Sequence, residues 1–167
     1  FRRGVNLNPG AAPEDMVALR IYVDAQRVIS LRLRPVKAAG ALCDAFEGGD
    51  GPRSVSDIML FLAEALTGGV DTLVAELAQQ LDDLEEELEQ NERQVPDRHL
   101  LLALRRRAAS LRRYLAPQRE IYAQLARSPL PWFASGAADY WGELHNRLTR
   151  NLEELELAHE RVSLLQE

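Results

Sequence analysis

Residues 152–167 read LEELELAHERVSLLQE, and the fold is decided by what this stretch belongs to. Leu152 and Leu155, then Leu164 and Leu165, recur at helical spacing, and no glycine, asparagine or proline follows to close the last turn. A helix leaves its final carbonyls without intrahelical partners, so a terminating residue is the usual sign of its end. The stretch is therefore expected to be the far portion of a long helix that runs on into something else. Upstream, Trp141, Leu144, Leu148, Leu152, Leu155 and Val162 share one side of a helix that starts about Ala137. Its roughly thirty residues, at about 1.5 Å each, make a rod of about 45 Å, longer than a compact domain of this size requires. His159 falls on the same seam, where a polar residue more often fixes helix register than it binds metal.

Two more long helices precede this one. Val70, Leu73, Leu77, Leu81, Leu84 and Leu88 step by three or four residues, the spacing of a coiled-coil seam. Gly68-Gly69 is expected to separate this helix from a preceding one, capped by Ser54 or Ser56 and carrying Ile58, Leu60, Phe61, Leu62 and Leu66; Pro96 is expected to end it. The next begins near Asp97 and places Leu101, Leu104, Ala108, Leu111, Leu115, Tyr122 and Leu125 on one stripe. Pro117 lies inside it, where a missing amide hydrogen and a ring clash predict a kink. Ser128-Pro129-Leu130-Pro131 then breaks the chain before the last helix.

The opening third reads differently. Met16–Val23 alternates Val17, Leu19, Ile21 and Val23 against Ala18, Arg20 and Tyr22, and 27–35 alternates again, with Leu31 and Leu33 against Arg32 and Arg34. Period two with β-branched residues indicates half-buried strands, and the short link Asp24-Ala25-Gln26 makes them an antiparallel hairpin. Pro9-Gly10 and Pro13 mark a loop before them, and 36–46 reads as a short helix ended by Gly48-Gly49-Asp50-Gly51-Pro52. Two strands alone are marginal in water, so they are expected to extend a larger sheet. The chain is thus of mixed α+β class.

Charge is segregated. Asp82, Asp83, Glu85, Glu86, Glu87, Glu89 and Glu92 crowd one long helix, with no lysine or arginine between Asp71 and Glu92. The following helix carries Arg98, Arg105, Arg106, Arg107, Arg112, Arg113 and Arg119 before its first acid, Glu120. One reading is an antiparallel hairpin whose solvated faces attract each other, each exposed pair contributing from a few tenths to about 1 kcal/mol. The other makes the acidic helix a cation-attracting surface, since carboxylates are hard oxygen ligands suited to magnesium or calcium. Arg112, Arg113 and Arg119 also stand as a candidate anion-binding cluster.

A net charge of −6 and a pI near 5.2 argue against nucleic-acid binding, which depends on basic side chains neutralising phosphates. Cys43 is alone, so neither an intrachain disulfide nor a thiolate zinc cage can form, and it is expected to be buried and inert. The first residues have no signal-peptide pattern, and no uninterrupted apolar run of about 18 residues suggests a span. A start at Phe1 without methionine and a finish in mid-helix suggest a piece of something longer. The motifs GxSxG, GxxxxGK[ST], HExxH and GxGxxG are absent, so no enzyme is expected. The histidines are His99, His145 and His159, too few and too scattered for a closed zinc site by themselves.

The order of parts, RGVNLNPG, a hairpin ending LRLRP, an acidic helix, LRRRAASLRRYLAPQRE and NRLTRNLEELELAHERVSLLQE, resembles the cytoplasmic domain of the CorA/ZntB family of divalent metal cation transporters, with the zinc-transporting ZntB branch nearest. The resemblance implies an α/β/α cytoplasmic domain with a small, mostly antiparallel sheet, then a long helical hairpin and a stalk helix continuing into the membrane. On that basis residues 1–68 form the α/β part, 69–131 the acidic and basic hairpin, and 132–167 the start of the stalk. It further implies a homopentamer on the cytoplasmic side of the bacterial inner membrane, with this part soluble and membrane spans lying beyond it. Zinc or magnesium would be the transported or regulatory ion. The acidic surface of Asp82, Asp83, Glu85, Glu86, Glu87 and Glu89 would gather cations, and Leu148, Leu152, Leu155, His159 and Val162 would form the seam packing within and between subunits. In the CorA branch an aspartate-rich segment at the start of the stalk holds magnesium between subunits. The matching stretch, Tyr140-Trp141-Gly142-Glu143-Leu144-His145-Asn146, has glutamate and asparagine there, which leaves Glu143 and His145 as candidate zinc contacts. The alternative function is a soluble helical adaptor or scaffold whose exposed seams bind partner helices.

Overall fold

In the computed structural model, which describes residues 2–12, 14–91 and 97–165, the chain runs β1 (Arg2–Gly4), β2 (Val17–Val23), β3 (Val28–Arg32), α1 (Lys37–Glu47), α2 (Val55–Gln90), α3 (Arg98–Arg127) and α4 (Ala137–Leu164). The expectations for Pro13, Glu92, Pro96 and the end of the chain lie outside the described residues.

The hairpin is as expected. β2 and β3 pair antiparallel with Val23 opposite Val28 and Leu19 opposite Arg32, and β1 adds a third antiparallel strand with Gly4 opposite Val17. Asp24 closes the turn: its carboxylate accepts from the amides of Gln26 at 2.9 Å and Arg27 at 3.0 Å, and from the Arg27 guanidinium at 2.8 Å. The half-burial expected of the second strand is not found, since 29–32 are exposed on both faces. Val17 and Leu19 are buried, whereas Leu31 and Leu33 are 65% and 98% exposed. Register explains this: Leu31 sits opposite Arg20, on the face of the sheet that Leu19 and Ile21 do not share.

α1 and the first half of α2 cover the inner face. Val17, Leu19, Val36, Ala38 and Ala39 meet Leu62 and Leu66 in a small core. Gly49, at φ +83°, takes the left-handed conformation that ends α1. Ser54 caps α2, accepting from the amide of Asp57 at 3.1 Å, while Ser56 is buried and accepts from the amide of Ala134 at 3.0 Å.

The break expected at Gly68-Gly69 does not occur. α2 continues for 36 residues through both glycines, so the expected boundary after residue 68 falls inside one helix. Tertiary packing overrides the local propensity: Val70, Leu73 and Val74 continue the buried stripe of Met59 and Ala63. Gly69 also lies under the first loop, where an added Cβ would stand 3.3 Å from Val5. By length and composition part of α2 is apolar enough to cross a membrane, but its apolar stripe is used by the core.

The main core is the three-helix bundle of α2, α3 and α4. Leu77, Leu81, Leu104, Leu111, Leu115, Leu148 and Leu155 fill its length, with Tyr122 and Trp141 at one end. Asp97 caps α3 through the amide of His99 at 2.8 Å, and the helix continues through Pro117. Side-chain contacts fix the directions. Tyr122 meets Thr67 at 3.5 Å and Arg107 reaches Gln80 at 3.5 Å, so α3 runs antiparallel to α2. Arg147 pairs with Asp71 and Arg161 with Glu85, so α4 runs parallel to α2. Helical geometry persists to Leu165, whose amide donates to the carbonyl of Arg161 at 3.1 Å.

Candidate cation-handling surfaces

The acidic half of α2 is exposed at Asp82, Asp83, Glu86, Glu87 and Glu89 and half-buried at Glu85. Apolar residues at three- and four-residue steps hold one side of the helix in the core and turn these carboxylates outward. Asp82 and Glu85 are ion-paired and share one guanidinium. Arg161 of α4 donates to Asp82 at 2.6 Å and to both oxygens of Glu85 at 2.9 and 2.6 Å. The expected partners were the arginines of α3. There Arg112 instead pairs with Glu156 of α4, and Arg107 approaches Glu14 of the first loop at 3.3 Å, close enough for attraction but not aligned as a hydrogen bond.

A second clamp lies four turns away on the same two helices. Arg147 donates to Glu64 at 2.5 Å and to Asp71, while Asn151, largely buried, donates to the other oxygen of Asp71 at 2.6 Å. The carboxylates of Glu64 and Asp71 raise the Arg147 guanidinium pKa above its ordinary value, and those of Glu85 and Asp82 do the same to Arg161. Both cations therefore stay charged at any physiological pH. Sequence reading missed all four of Arg147, Arg161, Asp71 and Asn151. The available signal was a shared spacing: fourteen residues separate Arg147 from Arg161 and Asp71 from Glu85.

Glu143 and His145 are not brought together. Glu143 is exposed beside the groove between α2 and α4, whereas His145 turns towards α3, its Nδ1 lying 3.2 Å from the carbonyl oxygen of Arg119. Residues two apart on a helix do not share a face. Among the described residues, no group of three or more His, Cys, Asp and Glu side chains is placed to hold a metal ion. Cys43, expected to be buried, is exposed on α1, because Ala38 and Ala39 supply that helix's inward face.

The seam resolves into the interior of this one chain. Leu148, Leu152, Leu155 and Val162 are all buried in the bundle, packed by α2 and α3, so these side chains are not free to pack between subunits. His159 is half-buried on the same face beside Arg112, with its Nδ1 buried and without a hydrogen-bond partner. The leucines of α4 that do face outward are Leu157 and Leu164, 49% and 70% exposed.

Comparison with known proteins agrees with this architecture. Residues 2–167 match the family described as CorA-like Mg2+ transporter protein. The chain is 62% identical over its whole length to the divalent cation transporter CmaX of Pseudomonas aeruginosa, covering 50% of that protein. It is 31% identical over 163 residues to the zinc transport protein ZntB of Pectobacterium atrosepticum, covering 98% of this chain and 49% of that one. The crystal structure of the ZntB cytoplasmic domain from Vibrio parahaemolyticus superposes with a TM-score of 0.83 at 26% identity, over 99% of this chain and 64% of that domain. The chain thus spans about half the length of the curated relatives it matches. On the strength of a match that takes in both the three-stranded sheet and the three-helix bundle, the chain belongs to the CorA-like Mg2+ transporter family.

Proposed function

We propose that this chain is the cytoplasmic, cation-handling part of a membrane transporter for divalent cations, zinc or magnesium, and that it works without catalysing a reaction. The observation that carries this reading is α4: a helix of 28 residues, about 42 Å long, fastened to α2 by guanidinium clamps at Arg147 and Arg161. Such a rod moves as one body with the domain around it, which is what coupling a water-soluble part to a membrane gate requires. The names of the relatives, a divalent cation transporter and zinc transport proteins, supply the cargo.

In this reading the protein assembles as a homopentamer at the cytoplasmic face of the bacterial inner membrane, and α4 leads towards its membrane spans. The carboxylates of Asp83, Glu86 and Glu89, added to a net charge of −6, raise the local concentration of hydrated cations. Asp82 and Glu85 contribute less to this field because the charge of Arg161 offsets one of their two. With no cluster of three ligands among the described residues, cations are attracted by this part rather than chelated.

The test is ion flux. The full-length protein reconstituted in liposomes with an entrapped zinc or magnesium indicator is expected to admit at least one of the two ions down an imposed gradient. Vesicles that admit neither above the protein-free background would overturn the proposal.

A further inference from the structure

α4 packs directly on both α2 and α3, which flank it, so the exposed sides of α2 and α3 look away from each other. These two sides carry opposite charge. α3 holds eight arginines and one carboxylate, and α2 holds ten carboxylates and no lysine or arginine. Part of that charge is already engaged inside the chain: Arg107 faces Glu14, Arg112 pairs with Glu156, and Glu64, Asp71, Asp82 and Glu85 belong to the clamps of α4. Arg106 and Arg113 of α3, and Glu76 and Asp83 of α2, are exposed and enter no ion pair among the described residues. Where they have a partner it is neutral. The Arg113 guanidinium donates to the hydroxyl of Tyr114 at 2.9 Å, and Asp83 accepts from the side-chain amide of Gln79 at 2.8 Å.

Their levels along the rods match. Tyr122 meets Thr67 and Arg107 meets Gln80, which sets the height of α3 against α2. By those contacts Arg113 stands level with residue 75 of α2 and Arg106 with residue 82, each one residue, about 1.5 Å, from Glu76 and Asp83 respectively. Seven residues separate Arg106 from Arg113, and seven separate Glu76 from Asp83, so each couple shares one side of its helix. Ala109 on α3 and Ala75 on α2 are exposed beside them and leave room for two helices to approach closely. Turning a copy about an axis that runs along α4 keeps every residue at its own level. Glu76 and Asp83 of the next copy then arrive at the height of Arg113 and Arg106, with its α2 antiparallel to α3.

We propose that α3 of one copy packs side by side on α2 of the next, Arg113 against Glu76 and Arg106 against Asp83. Donor and acceptor lie on different helices, so the contact is heterologous, and such a contact repeats around a closed ring. This deepens the assembly reading above and rests on it, because only parallel α4 rods keep the two sets of residues level. Exposed pairs of this kind add little strength and fix partner and register instead. The contact takes Asp83 for assembly and leaves Glu86 and Glu89 to attract cations.

The test is pairwise cross-linking of the full-length protein, in a background with Cys43 and any other cysteine changed to serine. Subunits carrying Glu76→Cys and subunits carrying Arg113→Cys are given different affinity tags, expressed together and treated in detergent with a short bismaleimide. A species bearing both tags is then a link between copies. Its yield is expected to be at least about tenfold that from Glu86→Cys with Arg113→Cys, in which the first cysteine lies ten residues, about 15 Å, farther along α2. Adding Arg106→Glu to the second subunit is expected to lower the matched yield about threefold or more, and adding Asp83→Arg to the first is expected to restore it. If a cysteine variant loses its helices by circular dichroism, Asp83→Cys with Arg106→Cys takes its place and the charge exchange moves to Glu76 and Arg113. A two-tag yield no greater than that of the mismatched couple, or one indifferent to both charge changes, would overturn the interface. Light scattering of the untreated protein reports assembly by itself: rings without the matched link remove only this interface, whereas monomers remove the assembly reading with it. Ion flux in liposomes is read separately, so linked rings that admit no ion remove only the transport reading.

Discussion

The guanidinium of Arg161, on the last turns of α4, holds both carboxylate oxygens of Glu85 on α2, its Nε at 2.9 Å and its NH2 at 2.6 Å. The residues are 76 apart in sequence, and with Asp82 as a further acceptor they tie the far end of the rod to the acidic helix. Two parallel hydrogen bonds fix orientation as well as distance, which a single lysine contact does not.

Removing this clamp is expected to loosen the far end of the bundle. Arg161→Ala is expected to cost about 1 kcal/mol, a value reduced by the solvent that screens a partly exposed pair. Arg161→Lys keeps the charge but not the paired geometry and is expected to cost about half of that. Urea denaturation with matched m-values reads both; an unchanged midpoint for the alanine variant would mean that the clamp contributes nothing to stability.

The aromatic end of the bundle is expected to be far more sensitive. Trp141 is fully buried, 5.4 Å from the ring centre of Tyr122 and 5.9 Å from that of Phe133. Trp141→Ala opens a cavity and is expected to cost about 3–5 kcal/mol. Its indole nitrogen is buried without a hydrogen-bond partner, so Trp141→Phe removes an unsatisfied donor and is expected to cost clearly less. Thermal melts of the two variants should separate by several degrees; equal losses would contradict this account of the indole.

The two adjacent glycines inside α2 are expected to behave differently. An added Cβ at Gly68 meets nothing within 4 Å, so Gly68→Ala is expected to stabilise by about 0.5–1 kcal/mol through helix propensity alone. At Gly69 the added Cβ would press on Val5 at 3.3 Å, which offsets that gain. Equilibrium unfolding of both variants checks the helix itself, since destabilisation by Gly68→Ala would show that the chain needs a break there.

Acid is expected to act first on the hairpin turn. The amide of Gln26 and the guanidinium of Arg27 hold the Asp24 carboxyl below its ordinary value of 3.8. A carboxyl whose folded pKa is depressed contributes stability that is present above the unfolded value and is lost as pH falls through the folded one. The turn is therefore expected to keep its order down to about pH 4 and to loosen below it. Protection of the Gln26 and Arg27 amides, taken relative to the intrinsic exchange rate at each pH, should fall over that interval in the parent and be low at every pH in Asp24→Asn.

Much of the architecture was legible because it follows from periodicity, which is a local property. Val17, Leu19, Ile21 and Val23 announce a strand, and Leu101, Leu104, Ala108, Leu111 and Leu115 a helical stripe, and both are found. Where the reading failed, the decision was not local. Gly68-Gly69 has the composition of a terminator, yet the stripe from Met59 to Leu84 pays for both glycines by burial along a single helix. Alternation along β3 was recognised, but whether the strand is half-buried depends on its neighbours, and 29–32 are exposed on both faces. The acids of α2 were matched with the nearest arginines in sequence, those of α3, whereas Asp82 and Glu85 found Arg161.

By itself, then, the sequence determined the kinds of element, their order, the side of each helix that is apolar, and the separation of negative charge onto one helix and positive charge onto the next. Only the tertiary structure decided that α4 lies parallel to α2 and against α3, that its leucine seam is spent inside the chain, and that Arg147 and Arg161 are the residues that join rod to domain. The physical reason is range. Periodicity and propensity act over a few residues, whereas a pairing across 76 positions is chosen by which packing of three stripes buries the most apolar surface while leaving each guanidinium a carboxylate within reach.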